Sequence, residues 1–68
     1  MRLLDKTTGK ELIIGEIVHD FRNDPHVLID ARPPHKPSST GFVTLRSMDE
    51  YASLREYYAG VIDAEWVA

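Results

Sequence analysis

A chain of 68 residues, 43% hydrophobic and 28% charged, has the balance of one folded globular domain and too few apolar residues for two cores. It holds no cysteine, which excludes disulfides and thiolate metal sites, so a core worth only about 3–5 kcal/mol stands without those staples. The net charge of −3 weighs against a non-specific nucleic-acid binder.

The opening MRLLDKTTGKELIIG lacks the basic head, apolar run and cleavage site of a signal peptide. No apolar stretch approaches the ~20 residues that cross a bilayer, so a cytoplasmic protein without membrane association is expected. The Thr-Gly-Lys turn before ELIIG predicts a hairpin of Arg2–Leu4 with Glu11–Ile14. In GEIVHDF, residues Ile17, His19 and Phe21 share one strand face and Glu16, Val18 and Asp20 the other, and the first set is expected to turn inward. RNDP is a turn. HVLIDA follows, with Val27, Ile29 and Ala31 on one face and Leu28, Asp30 and Arg32 on the other, and pairs with the preceding strand.

After a loop rich in proline and serine, GFVTLR alternates again, Val43 and Leu45 opposite Phe42, Thr44 and Arg46. SMDEYASLREYYAG reads two ways. Ser47 with Glu50 has capping-box form and Gly60 sits where a helix would stop, whereas Tyr57 and Tyr58 favour a strand preceded by a hairpin loop. VIDAEWV accommodates a helical turn and a last strand with Ala64 and Trp66 facing in. The expected fold is a single all-β domain over residues 1–68, a small SH3-like barrel or strongly bent antiparallel sheet with a short helical turn near the C-terminus. LREYY, AGVI and DAEWV fill the last strand, turn and strand. The alternative is an α+β domain with a helix at about 48–58.

Three motifs carry a resemblance over roughly residues 15–67: Gly15, Val18, Asp20, Phe21 and Arg22 as G-x-x-V-x-D-F-R, Ser38–Val43 as S-S-T-G-x-V, and Glu56–Ile62 as E-Y-Y-x-x-V-I. In these the chain resembles short tailed-phage proteins of actinobacteria and related hosts. Such proteins often carry DFRGE, where this chain reads DFRND followed by Pro25. The resemblance implies a compact β fold and a phage origin, and brings no activity and no site residues.

The loop Arg32-Pro33-Pro34-His35-Lys36-Pro37 is stiffened by its prolines. Pro34 and Pro37 have PxxP spacing, but the offsets where a basic residue would orient such a ligand hold Ala31 and Ser39. A stiff strand connection is the plainer reading of this segment. Yet Arg32, His35 and Lys36, with the hydroxyls of Ser38, Ser39 and Thr40, stand ready for an acidic side chain or a phosphate, and Gly41 allows backbone N–H groups to turn inward around an anion. No Walker-type GKS or GKT is present. His19, His26 and His35 have no metal-ligand spacing, so neither metal nor cofactor is expected.

Phe21, Arg22, Phe42, Arg46, Tyr51, Arg55, Tyr57 and Tyr58 interleave aromatic and basic character as a nucleobase-stacking surface does. A small core, however, needs Phe21 and at least one tyrosine inside, and Asp49, Glu50 and Glu56 repel phosphate. Charge is also segregated, a net basic middle from Arg22 to Arg46 against an acidic tail from Ser47 onward.

The sequence therefore predicts a non-enzymatic, phage-encoded binding module acting by protein–protein interaction in the host cell, with no catalytic residues. The expected face is Arg32, His35 and Lys36, with Ser38 and Ser39 in the loop and Arg22 near the adjacent turn. A nucleic-acid module on the same basic loop is the alternative. A self-associating structural protein is the third. The expected partner is a host or phage protein, and the chain itself is expected to be a monomer or weak homodimer.

Overall fold

The computed structural model of the chain describes residues 1–36 and 39–68. Strands β1 (Arg2–Asp5), β2 (Ile17–His19), β3 (Pro25–Arg32), β4 (Phe42–Ser47), β5 (Leu54–Tyr57) and β6 (Ala64–Val67) are joined by turns, with one 3₁₀ turn at Ala59–Ile62 before β6. β2-β3-β4-β5 is an antiparallel meander, and β1 pairs separately with β6. The domain is all-β, and its described residues form two sheets over one core without closing a barrel. No described helix replaces 48–58, and among the described residues no helix is long and apolar enough to cross a membrane.

The core takes Leu3 from β1, Val18 from β2, Leu28 from β3, Val43 and Leu45 from β4, Ala59 and Ile62 from the 3₁₀ turn and Ala64 from β6. Tyr57 and Trp66 pack against it half-buried. Trp66 Nε1 is buried with no hydrogen-bond partner among the described residues, so its ring area rather than its N–H secures the last strand.

Several expectations are corrected. Arg2–Leu4 and Glu11–Ile14 do not form a regular hairpin; a single Leu4–Glu11 bridge remains, with Leu12 N–H donating to the Leu3 carbonyl at 2.8 Å. The regular partner of β1 is β6, in register from Arg2–Val67 to Asp5–Ala64. β2 is turned the other way round from the expected facing: Val18 is 5% exposed and buried, whereas Ile17 is 56% and Phe21 76% exposed, and His19 lies outside too. A tight turn sets this. Glu16 N–H donates to the Ile13 carbonyl, and Gly15, at φ +97°, fills the position where a type II turn needs positive φ. Gly15 N–H then bonds to the Leu28 carbonyl while Leu28 N–H bonds to Glu16, two residues opposite one, a glycine bulge that fixes the register of the short strand.

β3 carries a second irregularity, a register shift between Leu28 and Asp30. The strand therefore places Leu28 opposite Leu45 and Ala31 opposite Val43 on the core side, whereas Val27, Asp30 and Arg32 lie on the other face, the first two half-buried and Arg32 exposed. In the segment Ser47–Ser53, Ser47 and Asp49 supply the acceptors a helix start would use, but for a hairpin loop. Asp49 Oδ1 accepts the N–H groups of Tyr51 (3.0 Å) and Ala52 (3.1 Å), and Ser47 Oγ accepts Ser53 N–H at 2.9 Å. Short polar side chains satisfy turn N–H groups as readily as helical ones, which is why the capping pattern misleads.

Candidate binding surface

The expected site residues fall at opposite ends of the four-stranded sheet. β3 is eight residues long, and at about 3.3 Å per residue its ends lie about 23 Å apart. Arg22 sits in the Asp20–Asp24 turn at one end, and Arg32, His35, Lys36 and Ser39 lie at the other. The expectation that Arg22 joins the loop is corrected by that length. Ser38 lies outside the described residues, as does Pro37 of the PxxP spacing.

At the Arg22 end the turn is organised by one carboxylate. Asp20 Oδ1 accepts the N–H groups of Arg22 (2.8 Å) and Asp24 (3.0 Å), while Oδ2 lies 3.0 Å from His26 Nε2. The His26 hydrogen bond first, then the Asp24 and Arg22 N–H groups, hold the Asp20 carboxyl below the usual carboxylate range against partial desolvation. Asn23 adopts φ +68° at the turn tip, a conformation asparagine tolerates. Phe21 and Arg22 are thereby pushed outward, the guanidinium 5.4 Å from the ring centroid.

At the other end the support comes from the backbone. Gly41 has φ +65°, and a Cβ there would meet the Arg32 carbonyl oxygen at 2.6 Å and the Pro34 nitrogen at 2.9 Å, so only glycine lets the returning chain cross the departing one. Its N–H donates to Ser39 Oγ at 3.3 Å. That N–H is thus engaged within the loop and does not form the inward anion nest expected. His35, Lys36 and Ser39 do converge, lining a shallow cleft of about 390 Å³ with Met1 and Pro34. Arg32 is drawn the other way: its Nε donates to Asp30 Oδ2 at 3.2 Å and its guanidinium lies 5.8 Å from the Phe42 centroid. With five N–H donors and one used here, it keeps capacity for a further acceptor.

Phe42 also lines a second cleft that sequence reasoning did not assemble. About 470 Å³ in volume, it is walled by Phe42, Tyr57, Tyr58 and Val61, with Glu56 among its lining residues. The β4–β5 register pairs Val43 with Tyr57, so one step further Phe42 stands opposite Tyr58. Tyr58 is 67% exposed. Part of the signal was present in the sequence, because a phenylalanine on the polar side of the Val43/Leu45 alternation is one the core does not use. The cross-strand partner and the 3₁₀ residue Val61 required the tertiary structure.

A further cleft of about 290 Å³ separates β2 from the β1–β6 sheet, where the Thr7 hydroxyl donates to Asp63 Oδ2 at 2.7 Å. Among the described residues no three metal-ligating side chains converge. No protein-family model matches the chain, and neither the curated proteins nor the solved structures contain a match.

Proposed function

We propose that the chain is a small protein-binding module, phage-encoded and acting on a protein of the host cell, that grips its partner with the Arg32–Phe42 shelf and the adjoining Tyr57/Tyr58/Val61 cleft. The carrying observation is that Phe42 and Tyr58 stand on the solvent face of the sheet and wall an apolar cleft without serving the core. Exposed aromatic residues beside an arginine are the residue types that dominate binding energy at protein interfaces. Pro33, Pro34 and Gly41 fix the chain where it leaves β3 and enters β4, which limits the entropy lost there on association. Arg32, His35 and Lys36 add positive potential suited to an acidic patch.

The test is an amide chemical-shift titration of the labelled protein against host lysate fractions, with and without nuclease. Nuclease-resistant shifts at Phe42, Tyr58 and Val61 are expected, and their absence from every fraction sinks the reading. If the shifts vanish with the nucleic acid, the nucleic-acid alternative replaces it. In that case affinity falls with salt at a log–log slope of about −0.7 to −0.9 per phosphate contact.

A further inference from the structure

The outer edge of β5 is an open hydrogen-bonding template next to the aromatic cleft. Ser47 N–H donates to the Ser53 carbonyl at 2.9 Å, which places that pair at a hydrogen-bonded position of the ladder, although Ser53 N–H turns to the Ser47 hydroxyl instead. Antiparallel ladders alternate bonded and non-bonded pairs. Along the register, Leu45–Arg55 and Val43–Tyr57 are therefore bonded pairs, and Leu54 and Glu56 aim their N–H and C=O groups away from β4. Among the described residues no strand pairs with that side, and Leu54 is 60% exposed. β5 contains neither proline nor a register shift. The opposite edge, β2, is by contrast three residues long, with the Gly15 bulge at its start. A straight edge free of proline and bulges can accept another strand, and the charges of Arg55 and Glu56 restrict which one.

A second copy is a poor occupant. Two antiparallel β5 strands related by a two-fold axis must place one residue opposite itself. The two registers that keep most of the strand paired centre on Arg55 or on Glu56, so like charges meet directly.

We infer that β5 binds an extended segment of a different protein as an added antiparallel strand, one with an acidic residue opposite Arg55, a basic residue opposite Glu56 and apolar residues opposite Leu54 and Tyr58. The apolar residue beside Tyr58 lies on the sheet face that carries Phe42 and enters the cleft. Backbone hydrogen bonds supply affinity at Leu54 and Glu56, and the Arg55/Glu56 charge pattern supplies direction and register. This inference rests on the cleft being the partner site.

The probe is a synthetic peptide with the core Val-Thr-Lys-Glu-Val, its residues set in order against Tyr58, Tyr57, Glu56, Arg55 and Leu54. A second version carries N-methyl groups on both valines and the lysine, whose N–H groups face β5. With the first peptide at roughly ten times its Kd, amide exchange at Leu54 and Glu56 slows about tenfold, and the N-methylated version gives no protection. Glu56→Lys weakens the first peptide about threefold, and a peptide with glutamate in place of its lysine recovers the loss. Unchanged exchange at Leu54 and Glu56 overturns the inference. If the N-methylated peptide binds equally well and still shifts Phe42 and Val61, the cleft reading stands and strand addition is overturned. If neither peptide shifts either region, both fall. Elution of the free protein at twice the chain mass, with Leu54 and Glu56 already protected, makes the occupant a second copy and overturns the inference as well.

Discussion

The four-stranded sheet ends twice in the same pair of side chains, a phenylalanine under an arginine guanidinium, and the two ends differ in everything that supports the pair. Phe21 and Arg22 are sequence neighbours on a turn tip, and none of the clefts described above is lined by either. Arg32 and Phe42 are cross-strand partners in the β3–β4 ladder, and the Phe42 ring is half-buried and walls a cleft. Residue chemistry alone therefore does not make a site here. Register and the chain behind it do. The supports differ in kind as well: side-chain carboxylates, Asp20 and Asp49, organise the turn end, whereas the Gly41 crossing organises the loop end.

Because Leu28 and Leu45 pair midway between the two ends, in the core that both share, the largest effect abolishes the difference altogether. Leu28→Ala empties a fully buried position and costs about 2–5 kcal/mol. A denaturant titration should show that loss as a lower midpoint, with Phe21 and Phe42 signals disappearing together. Separate transitions would mean that the two ends are not one cooperative unit.

Gly41→Ala is the next in size and acts on one end. A left-handed alanine costs about 1–2 kcal/mol before any clash, and the Cβ contact at 2.6 Å with a backbone oxygen adds to it. Resonances of Arg32, Phe42 and Tyr58 should move while those of Arg22 and Asp24 stay. An unaltered Phe42 environment would show that the crossing does not set the shelf.

Acid acts on the other end. Asp20 is lowered chiefly by His26, and Asp49 chiefly by the Ser47 hydroxyl and also by the Tyr51 and Ala52 N–H groups, both against partial desolvation. A carboxylate with a depressed folded pKa contributes stability that is fully present above its unfolded value of about 3.9 and is lost as pH falls through the folded value. Below about pH 4, therefore, protection of the Arg22, Asp24, Tyr51 and Ala52 amides, taken relative to their intrinsic exchange rates at the same pH, should fall first. The Gly41 N–H, bonded to the Ser39 hydroxyl, has no titrating acceptor and should follow only with global unfolding. Simultaneous loss at both ends would remove the distinction.

These contrasts also explain what the sequence made legible. Val43 and Leu45 alternate within one uninterrupted strand, and the AGVI turn closes on Asp63 in left-handed geometry, so both could be read locally. Ile17-Val18-His19 alternates equally well with either face inward, and only the turn and bulge at Gly15 decide between them. In β3 the side-chain period is broken by a backbone irregularity between Leu28 and Asp30 that leaves no mark in residue type. For the candidate site, Phe42 was identifiable as an aromatic residue outside the core pattern. Its meeting with Tyr58 and Val61 depends on pairing across the Met48–Ser53 loop, which local rules left undecided between helix and hairpin.

The smallest stability effects carry the sharpest functional contrast. Arg22 and Arg32 are both exposed, and truncating an exposed side chain outside a network usually changes stability by no more than about 0.5 kcal/mol. Arg22→Ala and the double substitution Arg32→Ala with Lys36→Ala should thus unfold at nearly the same denaturant concentration as the parent. Their binding should diverge. Arg32 stands over a ring that walls the cleft, so its loss removes both a charge-assisted donor and the cover on Phe42. Arg22 covers a ring that lines none of these clefts. In a partner titration the double variant should lose affinity while Arg22→Ala retains it, and equal losses in the two proteins would place the binding surface on the whole solvent face of the sheet rather than at the Phe42 end.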